Sequence, residues 1–310
     1  MFDTGAVADA VRYACITELS ALKPGSVSVH SDGHGMVVDD FVRSANAIAP
    51  ALVGAGLSVG ERILAAIEAT RLVVDCNTNL GIVLLCAPLA HAALNIRPGQ
   101  SLRAALGETL RTLDKNDTHL AYAAILMAEP AGLGEVAQHD VRNNKPDVGL
   151  LQVMRTAQRH DRIARQYVNN YADVFDVAVP RLYDGMERWG DEVWATASAY
   201  VGLLARFPDT HIERKYGLQL AQDISARAKH LDDMLLDKQA TPHTLFAPLA
   251  RFDAELKGKG INPGTSADLT VAALTVKRLQ AYLKDSGQMP FFGRGTGPGC
   301  VSSPVSSTAN

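Results

Sequence analysis

Apolar residues recur at every third or fourth position along almost the whole chain, whereas the alternating pattern of a β-strand is almost absent. This spacing is typical of one face of an α-helix, so the pattern predicts an all-α fold of about a dozen helices. Two segments, "GIVLLCAPLAHAAL" and "ADLTVAALTV", are apolar on every side. We expect them to be central helices, buried within a single compact multi-helix bundle.

Polar residues and prolines predict where several helices begin and end. The predicted starts are Thr4 before the first helix, a capping box of Ser58 and Glu61 before "RILAAIEATRLVV", and Asp117 or Thr118 before "HLAYAAILMA". The predicted ends are Lys23-Pro24-Gly25 after the first helix and Pro130 after "AYAAILMAE", because proline cannot continue a helix. The helical domain is predicted to span residues 1–287, and the Gly-, Ser- and Pro-rich residues 288–310 are predicted to form a flexible tail.

The composition narrows the class of protein. A chain of 310 residues, 47% of them apolar, can bury the core of a globular protein. Its 30 basic and 33 acidic residues nearly balance, so no basic field is present to hold a nucleic acid. Four scattered cysteines favour a reduced, cytoplasmic protein. No segment has the pattern of a signal peptide or a membrane span, and we expect neither export nor membrane insertion.

The first candidate functional segment is the loop "KPGSVSVHSDGHGMVVDD", residues 23–40. Its glycines would let a ligand approach the backbone, and Lys23, His30, His34 and Asp39 supply charge and proton donors. Long ordered loops in compact domains are more often functional than merely connecting. An ordinary surface loop is the alternative.

The second candidate is the start of a central helix, "DCNTNLG", residues 75–81. Asparagine and threonine are favoured caps, so one of Asn77, Thr78 and Asn79 could simply cap this helix. A cap needs only one residue, however, and four polar side chains crowd the turn, where backbone N–H groups could also receive a phosphate oxygen. Capping and ligand binding stay equally open from these residues.

Three further polar clusters lie at predicted helix starts. Residues 158–175 carry Arg159, Arg162 and Arg165 near one face, where a solvated surface is the favoured interpretation and phosphate binding the alternative. Residues 208–217 and 260–274 are better suited to an anion or a metal, because a cap or a tight turn precedes each helix. Their polar residues are Asp209, His211, Arg214, Lys215, Thr265, Ser266 and Asp268, and the turn before the second helix is Pro263-Gly264.

A single site would explain all five clusters if the polar N-termini of these helices converge on one cleft. Such a cleft would offer backbone donors and cations to phosphates, and Asp39, Asp209 or Asp268 to Mg²⁺. The pattern therefore predicts a nucleotide or polyphosphate substrate. Fingerprints of P-loop, dinucleotide-binding, zinc-hydrolase, GxSxG and CxxC proteins are all missing from the sequence.

Four motifs, in order, resemble the triphosphoribosyl-dephospho-CoA synthase family: "KPGSVSVH", "CNTNLG", "DTHIERKYG" and "NPGTSADL". The resemblance implies an all-α enzyme that transfers the triphosphoribosyl group of ATP to a ribose hydroxyl of dephospho-CoA and releases adenine. The matching residues are Lys23, Pro24 and Gly25 in the first motif, Asn77, Thr78 and Gly81 in the second, and Pro263, Gly264, Ser266, Ala267 and Asp268 near the C-terminus.

The chain departs from the family most clearly in the second motif, where Asn79-Leu80 replaces His-Lys. This replacement removes a titratable group and a permanent cation from the mouth of a helix. Ser26, Ser28, Asn262 and Thr265 are milder departures. The residues between the motifs resemble an archaeal and methylotroph branch of the family, in which the acceptor of a ribosyl phosphate could be a pterin precursor.

The sequence is thus interpreted as that of a transferase with Mg²⁺ as its cofactor. Its partners would be a nucleotide and an acceptor such as dephospho-CoA or a pterin precursor. Apolar helix faces would also allow a homodimer. The predicted catalytic residues are Lys23, His30, Asp39 and Asp268, and the predicted metal ligands are Asp39, Asp209 and Asp268. The predicted substrate-binding residues are Gly25, Ser26, Asn77, Thr78, Asn79, Gly81, Arg162, His211, Arg214, Lys215, Asn262, Gly264 and Ser266. A nucleotide-binding protein without transfer activity and a phosphotransferase are the alternatives.

Overall fold

A computed structural model describes residues 3–129 and 147–285 of the chain. These residues form fourteen α-helices and one π-helical turn, and the described part contains no β-strand beyond two isolated bridges in the loop after the first helix. The all-α prediction is therefore confirmed. The helices are α1 Thr4–Ser20, α2 Val38–Ala51, α3 Val59–Arg71, α4 Leu80–Leu94, α5 Leu102–Arg111, α6 Lys115–Ala128, α7 Leu150–Ala157, α8 Arg162–Asn169, α9 Val179–Trp189, α10 Glu192–Arg206, α11 Thr210–Tyr216, α12 Leu218–Leu236, α13 Pro242–Gly258 and α14 Gly264–Asp285, with the π-turn Val174–Ala178 before α9.

The two segments that are apolar on every side are central helices, as their sequences predict. Almost every residue of α4 is buried, from Ile82 to Ala93. Helix α14 packs against α1, α4, α9 and α10. These two helices also contact each other, and each begins with buried residues, among them Leu80 in α4 and Thr265 and Ser266 in α14.

The helix ends agree with the sequence in part. Ser58 and Glu61 form the predicted capping box of α3. Helix α6 begins earlier than predicted, because Asp114 is its N-cap and accepts from the backbone N–H of Asp117 at 3.0 Å. Pro130 and the predicted tail, residues 288–310, lie outside the described residues.

The apolar side chains form two clusters. The larger surrounds α4 and α14 and includes Ile163 and Leu269. The smaller lies between α10, α11, α12 and α13 and includes Leu22 and Ile212. Buried polar residues at the starts of α11 and α14 lie where the two clusters meet, and this boundary positions the candidate site. Among the described helices none is both long and apolar enough to cross a membrane.

Candidate functional site at the converging helix N-termini

The first turns of α4, α8 and α14 touch one another at Gly81. A Cβ atom on Gly81 would overlap the carboxylate of Asp268 and lie 2.7 Å from Cδ1 of Ile163. Glycine is therefore required for the three helices to approach this closely. The carboxylate of Asp268 thus lies directly against the start of the central helix α4.

Helix α11 joins the same group through hydroxyl hydrogen bonds. The backbone N–H of Arg162, at the start of α8, donates to Oγ1 of Thr210 at 3.2 Å. The hydroxyl groups of Thr210 and Thr265 lie 3.1 Å apart, which links α11 to α14. The N-termini of α4, α8, α11 and α14 therefore converge, as the hypothesis of a single cleft requires.

Asp209 is the buried centre of this arrangement. Its Oδ1 caps α11 by accepting from the backbone N–H groups of His211 and Ile212, at 2.9 and 3.2 Å. Its Oδ2 accepts from the backbone N–H and the hydroxyl of Ser266, at 2.7 and 2.8 Å. With four hydrogen bonds to protein, this carboxylate holds α11 and α14 together.

Asp268, unlike Asp209, is not held by hydrogen bonds to the described residues. It is half-buried and makes no hydrogen bond or ion pair with the residues that the structure describes. Burial raises the pKa of Asp268 well above its usual range, and the neighbouring carboxylates of Asp209 and Glu18 raise it further. The guanidinium of Arg214 opposes this shift. Asp268 is therefore a carboxyl group that no described residue hydrogen-bonds, and its raised pKa favours the protonated form.

Arg214 is positioned by the cap of a neighbouring helix. Asp161 caps α8 through Oδ1, which accepts from the backbone N–H of Ile163 at 2.8 Å. Its Oδ2 accepts from Nη1 of Arg214 at 3.0 Å, and the Arg214 side chain remains 30% exposed. Arg214 is thus held beside the cleft with part of its guanidinium free. Lys215, one residue on, is exposed and lies over the ring of Tyr216.

Lys23 lies in the interior rather than at a surface. It is 1% exposed, and its ammonium group donates to the Glu18 carboxylate and, at 2.9 Å, to the carbonyl of Val27. Burial lowers the pKa of Lys23 and raises that of Glu18, since both charged forms lose their hydration. Both residues are fixed in one buried pair.

The loop after Lys23 packs against the turn that leads into α14. Gly25 has a φ of +86°, and a Cβ there would lie 2.7 Å from Cδ of Pro263. Its N–H donates to Asp253 of α13 at 2.8 Å, and Nε2 of His34 lies 2.8 Å from its carbonyl oxygen. The hydroxyl of buried Ser26 lies 3.3 Å from that of Tyr200. The loop and α14 therefore meet at the same boundary.

The side chains of the "CNTNLG" segment are used mainly by the protein itself. Asn77 accepts from the backbone N–H of Leu80 at 3.1 Å, and the hydroxyl of Thr78 lies 2.6 Å from that of Ser44. The buried amide of Asn79 donates to the hydroxyl of Thr70 at 3.0 Å. Leu80 joins the apolar core. Asn79 is the N-cap of α4 but its side chain does not cap the helix, and Thr78 and Asn79 bind side chains of α2 and α3 instead. Only Asn77 bonds to the helix start, while Gly81 supplies the contact with Asp268.

The remaining predicted residues at the starts of α8, α11 and α14 differ in how far their side chains are already bound by other residues. Arg162 donates to Asp173 at 2.7 Å and stacks on Phe207, so its guanidinium is already bound. His211 is half-buried against Gly264, and burial lowers its pKa. Asn262 is half-buried and has no hydrogen bond within the described residues.

Two predicted catalytic residues lie at the outer surface. The side chain of Asp39 is 72% exposed and pairs with Arg43 at 2.9 Å. His30 is exposed, and its ring packs edge-on against Phe246. Within the described part of the chain, neither side chain makes a hydrogen bond or an ion pair with Asp268 or with the helix starts around it. Their predicted roles stay predictions.

The three predicted metal ligands do not form a metal site by themselves. Asp39 is exposed, Asp209 accepts four hydrogen bonds, and Asp268 makes no hydrogen bond or ion pair with a described residue. No group of three or more His, Cys, Asp or Glu suited to a metal occurs in the described ranges. Magnesium needs only one or two protein carboxylates when phosphates supply its other ligands. The predicted magnesium site stays a prediction.

Sequence reasoning missed Glu18 and Asp253. Both are carboxylates on the buried faces of helices. Glu18 lies almost one helical turn after the buried Cys15 on α1, and Asp253 lies directly after the buried Phe252 on α13. A charged residue at a position where the helical spacing predicts an apolar one is the signal that could have identified them.

Comparison with known proteins places this all-α chain among the transferases. Residues 4–287 match the family model of the ATP:dephospho-CoA triphosphoribosyl transferases, so the chain belongs to that family and the predicted resemblance is confirmed. A solved structure from Archaeoglobus fulgidus, described as a triphosphoribosyl-dephospho-CoA synthase, is similar in fold, with a TM-score of 0.60. It is 22% identical, and the match covers 77% of this chain and 98% of that one. No curated protein matches the chain.

Proposed function

We propose that this chain transfers the triphosphoribosyl group of ATP to a ribose hydroxyl of dephospho-CoA in the cleft where α4, α8, α11 and α14 begin. The bond between ribose C1′ and adenine breaks, and a bond from C1′ to the acceptor oxygen forms. The hydroxyl proton ends on adenine, so the reaction balances without a further reactant. The observation that carries the proposal is the unpartnered carboxyl of Asp268 at the meeting point of these helices.

Asp268 is the proton acceptor in this proposal. A general base is most effective when its pKa lies near the working pH, and burial raises the pKa of Asp268 in that direction. Because its carboxylate has no hydrogen bond to the described residues, it can receive the acceptor hydroxyl without first breaking a contact. Asp209, whose oxygens take four hydrogen bonds, is a positioning residue instead.

The triphosphate would lie on the α8 and α11 side of the cleft. The family's lysine at the start of α4 is replaced by Leu80, which is buried, so α4 offers no cation of its own. Arg214 is a partly exposed guanidinium that interacts electrostatically with Asp268, and arginine is well suited to phosphate oxygens. Lys215 adds a second cation at the rim.

Magnesium would enter with the triphosphate. It would neutralise phosphate charge, and the protein residues near it would be those that bind the phosphates.

The test is to incubate the purified chain with ATP, Mg²⁺ and dephospho-CoA and to resolve adenine, ADP and the triphosphoribosyl adduct by chromatography and mass spectrometry. We expect adenine and adduct in equal amounts. Arg214→Gln should raise KM for ATP about tenfold or more, since a charge-assisted hydrogen bond to phosphate contributes about 1.5–3 kcal/mol. Arg155→Gln, on the exposed face of α7, is the matched control.

Three outcomes would contradict the proposal. ADP instead of adenine would identify a phosphotransferase. ATP binding without turnover for any acceptor would identify a binding protein. Adenine release with a pterin precursor but not with dephospho-CoA would retain the transfer chemistry and change the acceptor.

A further inference from the structure

A groove, named here the α14 groove, lies between the last turns of α14 and the neighbouring helices α1, α9 and α10. Its volume is about 210 Å³, and its walls carry two tyrosines, three cations and one carboxylate, which are Tyr13, Tyr183, Lys277, Arg278, Lys284 and Glu192. At about 1.5 Å per helical residue, Lys277 and Lys284 lie about 14 and 24 Å along α14 from Asp268. The α14 groove is therefore separate from the candidate site.

The cations of the α14 groove outnumber its single carboxylate. Lys277 donates to the carboxylate of Glu192, which also accepts from the hydroxyl of Tyr13. Lys284 makes no ion pair with a described residue, and its ammonium group lies 5.7 Å from the ring centre of Tyr183. The groove therefore keeps positive charge that the described residues do not neutralise.

The guanidinium of Arg278 is held in place but keeps hydrogen-bond donors to spare. It lies 4.6 and 5.0 Å from the ring centres of Tyr13 and Tyr282, whose faces attract a cation. Its bond to Asp9 is long, with Nη2 3.4 Å from Oδ2, and Asp9 is shared with Arg12. Its buried Nε has no acceptor among the described residues. A guanidinium fixed in this way can still donate to an anion in the groove.

We propose that the α14 groove binds a small phosphate monoester through Lys277, Arg278 and Lys284. A phosphate monoester carries a charge of about −1.5 to −2 at pH 7 and three strong acceptor oxygens, which match the excess of cations and donors. The groove is smaller than the pockets of drug-sized ligands, which hold about 300–1,000 Å³, so it suits one phosphate with a small organic group. This inference goes beyond the proposed function, because it needs neither Asp268 nor ATP.

Glu192 sets the affinity of the α14 groove in this proposal. Its carboxylate occupies the ammonium group of Lys277 and the hydroxyl of Tyr13, both of which face the groove. It also repels an anion that lies beside it, because like charges at short range disfavour each other. Removing the charge of Glu192 should therefore strengthen phosphate binding, whereas removing the charge of Lys284 should weaken it.

The experiment adds phenyl phosphate to the full chain labelled with ¹³C in its tyrosine rings. The resonance of Tyr183, assigned by its loss in Tyr183→Phe, is followed by NMR, and we expect it to shift until the groove is saturated. Lys284→Gln should weaken the binding about fivefold, near the upper limit for an exposed ion pair. Glu192→Gln should tighten it. Lys229→Gln, at an exposed site on α12 outside the groove, should leave the affinity unchanged.

Two comparisons separate this site from other sources of binding. Benzoate has the same ring with a single carboxylate charge, so it should bind more weakly than phenyl phosphate. Arg214→Gln alters the candidate site and should leave the affinity measured at Tyr183 unchanged. A Tyr183 resonance that does not saturate, equal affinities for the two probes, or a folded Lys284→Gln or Glu192→Gln protein with unchanged affinity overturns the proposal. Because the NMR readout needs neither ATP nor turnover, its result does not depend on whether the transfer reaction occurs.

Discussion

At the scale of single residues, Asp268 combines a functional advantage with a cost in stability. Its pKa is raised by burial, so the folded protein holds a proton over a pH range in which the unfolded chain has released it. The free energy of unfolding therefore falls as the pH rises from the pKa of aspartate in the unfolded chain to the raised pKa of Asp268 in the folded protein. A residue that weakens the fold at neutral pH is typical of a functional site.

Asp268→Asn should accordingly reduce transfer activity by about 10²-fold or more, as expected for loss of a general base, while the protein becomes more stable at neutral pH. The gain in the free energy of unfolding should grow as the pH rises from about 4, near the ordinary aspartate pKa. Urea unfolding at a series of pH values measures this. If the stability difference between Asp268→Asn and the unsubstituted protein shrinks as the pH rises, the pKa of Asp268 is not raised in the folded protein.

Gly81→Ala tests the close approach of α4 and α14. The added methyl group would overlap the Asp268 carboxylate, so either the side chain or a helix must move. We expect a loss of about 1–3 kcal/mol in the free energy of unfolding and a fall in kcat. Gly258→Ala is the matched control, because a Cβ there meets open space at the end of α13. Full activity of Gly81→Ala would mean that this contact is not part of the site.

The limits of prediction are also clearest for single residues. The motif matches predict Gly81, Gly264 and Asp268 as residues of the site. They do not separate Asp209, which is saturated by hydrogen bonds, from Asp268, which is not. That difference depends on contacts between residues far apart in the chain, which spacing does not encode.

At the scale of elements, helical periodicity predicts the central helices but not every helix end. Helix α6 has two acids three positions apart, Asp114 and Asp117, and each could cap it. Asp117 instead lies in the first turn, where its carboxylate accepts from the backbone N–H of Gly60 on α3 at 2.7 Å. Asp117 also accepts from the backbone N–H of Asp114 at 3.0 Å, so the two acids form a capping box. The helix therefore begins at the first of the two acids, earlier than the predicted start at Asp117 or Thr118.

Asp209→Ala should be more damaging than loss of an ordinary cap. It removes four hydrogen bonds at once and leaves buried donors of α11 and α14 without partners, which we expect to cost about 3 kcal/mol or more. Asp191→Ala removes a simple cap of α10, bonded to Val193 and Trp194, and should cost about 1 kcal/mol. Thermal or urea unfolding compares the two. Equal losses would mean that the link between α11 and α14 adds nothing to the cap.

At the scale of the whole molecule, the site depends on contacts that join the two apolar clusters. Helix α1 contributes Cys15 to the larger cluster, and the loop that follows it contributes Leu22 to the smaller one. Its Gly25 then bonds to Asp253, 228 residues further along the chain. The loop therefore closes the boundary between the clusters beside the start of α14, which no local pattern in the sequence predicts.

Asp253 is the residue that holds this loop in place. Besides Gly25, its carboxylate accepts from the hydroxyl of Ser31 at 2.8 Å and from the ammonium group of Lys257 at 3.1 Å. Lys257 in turn donates to the carbonyl of Ser31 at 3.0 Å. Removing the carboxylate leaves a buried backbone N–H unpaired, which costs about 1–3 kcal/mol and frees the loop to move.

Asp253→Ala should therefore expose residues 25–36 to limited proteolysis and raise KM for the substrates more than it lowers kcat, since the helix starts that surround Asp268 stay in place. The matched control is Glu255→Gln on the same helix, whose carboxylate pairs with Arg227 and Lys259 and does not touch the loop. Faster cleavage in the loop together with raised KM, absent from the control, would tie loop order to substrate binding. Unchanged KM despite faster cleavage would instead show that the loop packs between the two apolar clusters but does not contribute to substrate binding.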